Sequence, residues 1–183
     1  PIQLIAVQMR LSIACYENRS RFEEKIRSLM NRVKEHLVQG IPSLVVFPED
    51  VGTPLLFLDE GIASSCTTVR EAVQKLLLRR AFPIAGKMMK YRVGILRAAM
   101  LSKAAAAGKV YHEVFSVMAG DYGVYLVAGS ASLPDFFYDP SGKSFDFHHI
   151  RDGNIYNVSY FYGPDGGLIG TQKKVHLVEG LED

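Results

Sequence analysis

Two short apolar runs near the N-terminus flank an amphipathic segment. Residues 2–9 place apolar side chains among β-favouring neighbours and precede a polar loop, which predicts a buried strand. After Asn18, apolar residues recur at spacings of three and four until Gly40, which predicts a helix with one buried face. Residues 43–47 are β-branched and continuously apolar, as in a central strand covered on both faces. This order is typical of α/β folds, which keep their chemistry beyond the strand ends.

The middle of the chain is mostly helical by pattern, from residue 53 to residue 109. One helix is predicted from Val69 to beyond Leu77 and a second over residues 95–107, with a division near Pro83 and Gly86. Residues 111–118 extend the second pattern. The segment therefore predicts a helical layer between the second and third strands.

The last third of the chain returns to strand patterns. Residues 124–128 (VYLVA) predict a buried strand closed by Gly129. Residues 155–162 and 168–171 flank the turn sequence 163–167 (GPDGG), which predicts a β-hairpin. The adjacent His148 and His149 would face opposite sides of a strand, and a solvated loop is the alternative. The whole pattern predicts a single α/β domain over residues 1–183.

Composition and charge exclude several classes of protein. With 183 residues, 48% hydrophobic and 22% charged, the chain is a globular domain and not a disordered segment. A net charge of +2 argues against a nucleic-acid partner. No apolar run approaches the roughly 20 residues of a membrane span, so we expect no membrane partner and a cytoplasmic location. Two cysteines agree with a reducing compartment.

Motifs for cofactors and metals are missing from the sequence. The two Gly-Lys pairs, at Gly86 and Gly108, lack the further glycine and the Ser or Thr of a phosphate-binding loop. There is no Cys-x-x-Cys and no His-Glu-x-x-His, and the two adjacent histidines are a weak metal signal. We expect no metal and no organic cofactor.

Two charged residues are candidates for chemistry. Glu49 directly follows an apolar strand, where a carboxylate costs free energy unless it is paired or used; the alternative is a turn or helix cap. Lys173 and Lys174 follow the predicted hairpin, and adjacent lysines usually form a solvated edge. Strand alternation nevertheless places them on opposite faces, so one of them points inward and requires a carboxylate partner. Neither Cys15, in a polar loop, nor Cys66, before a helix, is marked as a nucleophile.

The order of these motifs resembles the nitrilase superfamily, the carbon–nitrogen hydrolases. The resemblance spans essentially the whole chain and is weakest over residues 53–109. It is carried by residues 44–49 (LVVFPE), residues 127–130 (VAGS), Tyr156 with Asn157, residues 163–166 (GPDG) and residues 174–177 (KVHL).

The resemblance implies a four-layer α-β-β-α sandwich and a Glu-Lys-Cys triad. Glu49 would be the general base, and Lys174 would stabilise the tetrahedral intermediate. The substrate would be a small amide, carbamoyl compound or nitrile, attacked by a thiolate to form a thioester. An amidase or carbamoylase is favoured over a true nitrilase, and a homo-oligomer is expected.

The chain departs from the family pattern at the nucleophile. In the family the cysteine lies downstream of the Lys-x-His-Leu motif, and this sequence ends at Asp183. Neither Cys15 nor Cys66 matches its position, so the chain resembles the N-terminal portion of the fold. We expect the 183-residue chain to be inactive by itself, with part of an apolar sheet face and a strand edge open. A non-catalytic binding or scaffold subunit and an acyltransferase with the same triad are the alternatives.

Overall fold

Eight strands and four α-helices make up the described part of the computed structural model, which covers residues 1–62, 65–139 and 144–175. Two short 3-10 helices lie at Ile13–Tyr16 and Thr53–Phe57. The helices are α1 (Arg19–Lys34), α2 (Val69–Arg79), α3 (Ala81–Tyr91) and α4 (Ile95–Tyr122). The strands are β1 (Gln3–Ala6), β2 (Ser43–Val46), β3 (Tyr125–Val127), β4 (Ala131–Leu133), β5 (Phe136–Asp139), β6 (Ser144–Ile150), β7 (Tyr156–Tyr162) and β8 (Leu168–Lys173).

Six strands form one mixed sheet. Strands β1, β2 and β3 are parallel neighbours, and β7 is antiparallel to both β3 and β4. Strand β8 pairs with the other edge of β7. Strands β5 and β6 form a separate two-stranded hairpin. The predicted α/β class is confirmed, as is the hairpin of β7 and β8.

Helix α1 begins where the sequence predicts. The Asn18 side chain accepts a hydrogen bond from the backbone N–H of Arg21 at 3.0 Å, which caps one of the unsatisfied first-turn donors. The apolar face is buried and joins the main core. The buried residues are Phe22, Ile26, Leu29, Met30 and Val33.

Helix α4 forms the centre of the main core. Phe115 packs edge-on against Phe47, and Tyr111 packs edge-on against Tyr160, so the helix joins strands β2 and β7. The Tyr111 hydroxyl donates to the Ala128 carbonyl at 3.1 Å, and burial raises the pKa of this phenol. The helices therefore cover the sheet face that carries the buried residues of β2, β3 and β7.

The predicted division near Pro83 and Gly86 is wrong, because both residues lie inside α3. Pro83 occupies the first turn of the helix, where a backbone N–H has no intrahelical acceptor and its loss costs little. The chain changes direction earlier, at Arg80, between α2 and α3. The segment thus forms three helices instead of two.

Strands β4, β5 and β6 were not predicted from the sequence. The solvated-loop alternative for His148 and His149 is wrong, since both lie in β6, although both side chains are exposed. The hairpin packs on α4 at Gly108, where a Cβ would lie 2.7 Å from the Phe136 ring. No helix in the described ranges has both the length and the apolar character needed to cross a bilayer.

Candidate functional site

Three polar side chains from distant parts of the chain meet at one end of the sheet. Glu49 follows β2, Asn157 lies in β7 and Lys174 follows β8. Lys174 Nζ and Asn157 Nδ2 both donate to Oε1 of Glu49, each at 2.9 Å. Glu49 Oε2 accepts no hydrogen bond from any described residue. The structure therefore brings together the two charged residues selected from the sequence and adds an amide between them.

The β7–β8 register explains why Lys174 faces Glu49. Val158 is paired with Lys173, and the Lys174 backbone N–H donates to the Asn157 carbonyl at 2.8 Å. Lys174 and Asn157 are therefore opposite each other on the two strands, and their side chains share one face. The predicted alternation of the two lysines agrees with this arrangement.

Lys173 makes a different set of contacts. Its Nζ lies 3.1 Å from Oδ2 of Asp135 and 4.0 Å from the ring centroid of Tyr156. This ammonium is held by a carboxylate and by a cation–π contact. The hairpin thus directs two adjacent lysines to two different carboxylates.

The loop after β2 has an unusual backbone next to Glu49. Asp50 has a φ of 60°, in the left-handed region that non-glycine residues seldom adopt. Its N–H donates to Ser130 Oγ at 2.9 Å, and the Gly52 N–H donates to the Ser130 carbonyl at the same distance. Ser130 therefore holds the loop at two points, at the strained residue itself and two residues beyond it.

Two further contacts fix the same loop from its sides. Gly129 has a φ of +73°, and a Cβ there would lie 2.0 Å from the Pro48 carbonyl oxygen. On the other side, the Tyr16 hydroxyl donates to the Val51 carbonyl at 2.7 Å. Burial raises the pKa of Tyr16, with the nearby Cys15 acting in the same direction, so this hydroxyl stays protonated. The position of Glu49 is thus set by backbone contacts.

The site lies on the sheet face opposite the buried residues that pack on the helices. The Glu49 side chain is 56% exposed and that of Lys174 is 29% exposed. The same face carries apolar residues that remain partly or largely exposed, with Leu4 at 70%. These residues are Leu4, Leu44, Val46, Tyr125, Val127 and Phe161. An apolar sheet face with a charged pair at its end is the arrangement of a site that a further layer would enclose.

The cysteines and histidines lie elsewhere. Cys15 is in the 3-10 helix Ile13–Tyr16, Cys66 precedes α2, and both thiols are partly buried. Neither thiol contacts Glu49. His149 pairs with Asp146, and no group of three or more His, Cys, Asp or Glu side chains within the described ranges is arranged to hold a metal. His176 and Leu177 of the motif at 174–177 lie outside the described residues.

Asn157 is the contact that the sequence did not predict. Asn157 stands in a strand that is mostly apolar and aromatic, and its sequence signals are this polar position and its place beside Tyr156 in the motif order. Its amide donates to the carboxylate of Glu49, so it belongs to the site.

Comparison with known proteins gives matches among solved structures alone. No protein-family model matches the chain, and no curated protein matches it significantly. A carbon–nitrogen hydrolase from Helicobacter pylori G27 is similar over 99% of this chain and 42% of that protein, with 16% identity and a TM-score of 0.47.

Two other solved structures are similar to the same extent. For a Nesterenkonia amidase from the nitrilase superfamily, the coverage is 99% of this chain and 45% of that one, at 15% identity and a TM-score of 0.42. Saccharomyces cerevisiae Nit3, a member of branch 10 of the superfamily, is similar over 96% of this chain and 44% of that protein, with 17% identity and a TM-score of 0.40.

These neighbours are nitrilase-superfamily and carbon–nitrogen hydrolase proteins. The chain spans less than half the length of each of them. At these identities and TM-scores the likeness is one of fold alone.

Proposed function

We propose that residues 1–183 are the N-terminal part of a single carbon–nitrogen hydrolase domain, and that the complete domain acts on a small amide, carbamoyl compound or nitrile. The observation that carries the proposal is the contact of Glu49 with Lys174 and Asn157 at the end of β2. A general base, a cation and a neutral donor converge there on a sheet face that has room for a reacting group.

In this proposal the two oxygens of Glu49 have different roles. Both donors occupy Oε1, and the amide and the ammonium hold the carboxylate in one orientation. Oε2 is left to accept a proton from a nucleophile. Lys174 places a positive charge beside this oxygen, where an oxyanion formed from an amide carbonyl would be stabilised.

The reaction for an amide then has two halves. Glu49 takes the proton of a cysteine thiol as the sulfur attacks the carbonyl carbon, and the negative charge that forms on oxygen is stabilised by Lys174. Glu49 returns the proton to the leaving nitrogen, the C–N bond breaks, and a thioester remains. Glu49 next takes a proton from water as the water oxygen attacks the thioester carbon; the C–S bond then breaks, the acid is released, and Glu49 returns the proton to the thiolate.

Neither Cys15 nor Cys66 contacts Glu49, so in this proposal the nucleophile comes from outside the 183 residues. We propose that a further part of the protein supplies the cysteine and packs a second sheet on the apolar face of β1, β2 and β3, which gives a four-layer sandwich. A homo-oligomer formed through helical faces belongs to the same proposal.

A second function is favoured by the same contact set. Glu49 has a cation and an amide as partners and no thiol among the described residues, which is also the arrangement of a structural ion pair in a non-catalytic binding subunit. An acyltransferase would use the same triad and pass the acyl group to an amine instead of water.

The test uses the full-length protein and ammonia release from panels of small amides, carbamoyl compounds and nitriles. Glu49→Gln removes the proton acceptor with little change in shape and should lower kcat by about 10²-fold or more. Glu24→Gln, an exposed residue of α1, is the matched control and should leave kcat unchanged.

Three results would contradict hydrolysis through Glu49. Equal activity of the Glu49→Gln and Glu24→Gln proteins would remove Glu49 from the mechanism. Absence of ammonia release together with absence of a fast-reacting thiol towards iodoacetamide would favour the binding subunit. Product formation that depends on an added amine would favour the acyltransferase.

A further inference from the structure

Helix α3 presents apolar side chains to solvent. Of its eleven residues only Ile84 is buried, whereas Phe82 is 92% exposed and Met89 is 77% exposed. Leu78, one turn earlier at the end of α2, is 80% exposed. The exposed positions of α3 recur at i, i+3, i+4 and i+7, so they form one stripe on the helix surface. We call Phe82, Ala85, Gly86 and Met89 the exposed stripe.

Helix α3 packs against a core of the protein with the residues that do not belong to the exposed stripe. Ile84 belongs to a second, smaller core that also contains Leu76 of α2 and Ala98 of α4. Met88 packs against the same core from α3. The helix therefore buries one side against its neighbours and turns the other side outward, so the exposure of the stripe is a feature of the packed structure.

The segment around the stripe is strongly basic. Residues 69–97 contain eight Lys and Arg and a single Glu, a net charge of +7, whereas the whole chain carries +2. The small net charge of the whole chain therefore does not reveal that positive charge is concentrated in this segment. Arg70, Lys90, Arg92 and Arg97 are exposed and form no ion pair with a described residue. Exposed apolar side chains and exposed cations without an ion pair in the same segment fit an anionic surface with an apolar interior.

The charge argues against a second copy of the chain as the occupant. A two-fold symmetric interface places the same patch against itself, so two segments of net charge +7 would repel each other. A nucleic acid would satisfy the cations, and Phe82 offers a ring on which a base can stack, but the exposed aliphatic side chains of Leu78 and Met89 would stay in water. An anionic bilayer accepts both the cations and the aliphatic side chains.

We propose that residues 69–97 dock the protein on the surface of a bilayer that contains anionic phospholipid. Phe82, Met89 and Leu78 insert at the boundary between headgroups and acyl chains, and the exposed cations contact headgroup phosphates. The helix lies along the surface and does not span the bilayer. This inference is independent of the proposed hydrolase function, because its test requires no activity.

The first experiment measures co-sedimentation of the full-length protein with vesicles. Vesicles of phosphatidylcholine alone are compared with vesicles that also contain phosphatidylglycerol. We expect binding to the anionic vesicles, weaker binding as the salt concentration increases, and little binding to the neutral vesicles. Equal binding to both kinds of vesicle, or to neither, would overturn the proposal.

Matched variants separate the apolar and electrostatic contributions. Phe82→Ser with Met89→Ser should lower the partition coefficient by about tenfold or more. Leu11→Ser with Val38→Ser changes two exposed apolar residues elsewhere and should leave it unchanged. All four positions are exposed, so folding is retained, and circular dichroism verifies this for each variant.

The charge variants follow the same design. Lys90→Glu with Arg97→Glu should lower anionic-vesicle binding by about tenfold or more. Arg21→Glu with Arg32→Glu makes the same net change at exposed positions of α1 and should have a much smaller effect. Equal losses of vesicle binding in the two double variants would mean that binding depends only on the total charge of the protein. This result would overturn the assignment to residues 69–97. Light scattering measures whether the protein dimerises, and titration with single-stranded DNA measures whether it binds nucleic acid. A dimer or a DNA complex that depends on the exposed stripe, without vesicle binding, would contradict the proposal.

Discussion

Lys174 Nζ lies 2.9 Å from Oε1 of Glu49, although 125 positions of sequence separate the two residues. Both side chains are partly exposed, and exposed ion pairs contribute only about 0.2–1 kcal/mol to stability. The ion pair is therefore too weak to hold the two elements together. The backbone contacts of Ser130 and the β7–β8 register set its geometry instead.

Asn157→Ala tests whether the amide positions the carboxylate of Glu49. The variant removes the neutral donor to Oε1 and leaves Lys174 in place, so Glu49 gains rotational freedom. We expect kcat of the full-length enzyme to fall by about tenfold or more, with an unchanged urea midpoint. Asn154→Ala, at an exposed position of the preceding loop, is the control. Unaltered kcat in the Asn157 variant would show that Lys174 alone orients the base.

Gly129→Ala tests the fit of the Glu49 loop against β3. The new Cβ would lie 2.0 Å from the Pro48 carbonyl oxygen, so the loop must shift in addition to the cost of a positive φ. Gly123→Ala has a similar φ of +62° and no atom within 4 Å of its Cβ, so it isolates the backbone cost of about 1 kcal/mol. In urea unfolding, the free energy of unfolding should fall by at least about 2 kcal/mol more for Gly129→Ala than for Gly123→Ala. Equal losses of unfolding free energy for the two variants would mean that the loop shifts without a cost in stability.

Glu60→Gln tests an ion pair between the turn that follows the 3-10 helix Thr53–Phe57 and α4. Lys103 Nζ donates to Oε1 of Glu60 and to the Leu58 carbonyl, both at 2.7 Å, and both charged side chains are buried. Loss of the carboxylate leaves a buried ammonium and should cost about 3–5 kcal/mol in urea unfolding.

Two further variants test the cause of the stability loss in Glu60→Gln. Glu60→Gln combined with Lys103→Met should recover part of the lost stability, because the buried ammonium is then absent; recovery is incomplete because Arg80, whose Nη1 lies 3.1 Å from the same carboxylate oxygen, still loses its partner. Glu71→Gln breaks the exposed pair with Lys75 and should change the urea midpoint little. A double variant as unstable as Glu60→Gln would contradict the role of Lys103 as the stranded charge.

His112 makes stability depend on pH. Burial lowers its pKa below the usual 6.5, and Glu113 opposes this with a smaller effect. As the pH falls below about 6.5, the unfolded chain binds a proton that folded His112 does not yet bind, so the free energy of unfolding decreases. Stability should therefore rise between about pH 5 and pH 7.

His112→Gln is the variant that checks this pH dependence. The glutamine side chain can still accept from the Tyr162 hydroxyl, which lies 3.0 Å from Nδ1 of His112. Urea unfolding at several pH values should show a shallower slope in the variant than in the original protein. An identical slope would assign the pH dependence to other groups.

Sequence patterns predicted most of the sheet and the first helix, because their apolar positions follow a single period. Phe22 and Ile26 recur at helical spacing and are buried as expected. Helix α3 was missed because Pro83 and Gly86 usually divide helices, whereas a first-turn proline is tolerated. Strand β6 was missed because Phe145, Phe147 and Ile150 are its only apolar residues among polar ones. Strand β5 was missed although its sequence, FFYD, is mostly aromatic, because it is only four residues long.

The site was only partly predictable, for a physical reason. Glu49 and Lys174 were selected by their places at strand ends and by motif order, but their contact depends on the β7–β8 register. A change of one residue in that register would direct Lys173 towards Glu49 instead. Asn157 required the pairing itself, since one asparagine in a strand has no distinctive pattern.

The most direct test compares Lys174→Ala with Lys173→Ala in the full-length protein. The two lysines are adjacent in sequence, but Lys174 contacts Glu49 and Lys173 contacts Asp135. Ammonia release should show a loss in kcat of about 10²-fold or more for Lys174→Ala and little change for Lys173→Ala. Equal losses, or a larger loss for Lys173→Ala, would contradict the assignment of the site to Glu49 and Lys174.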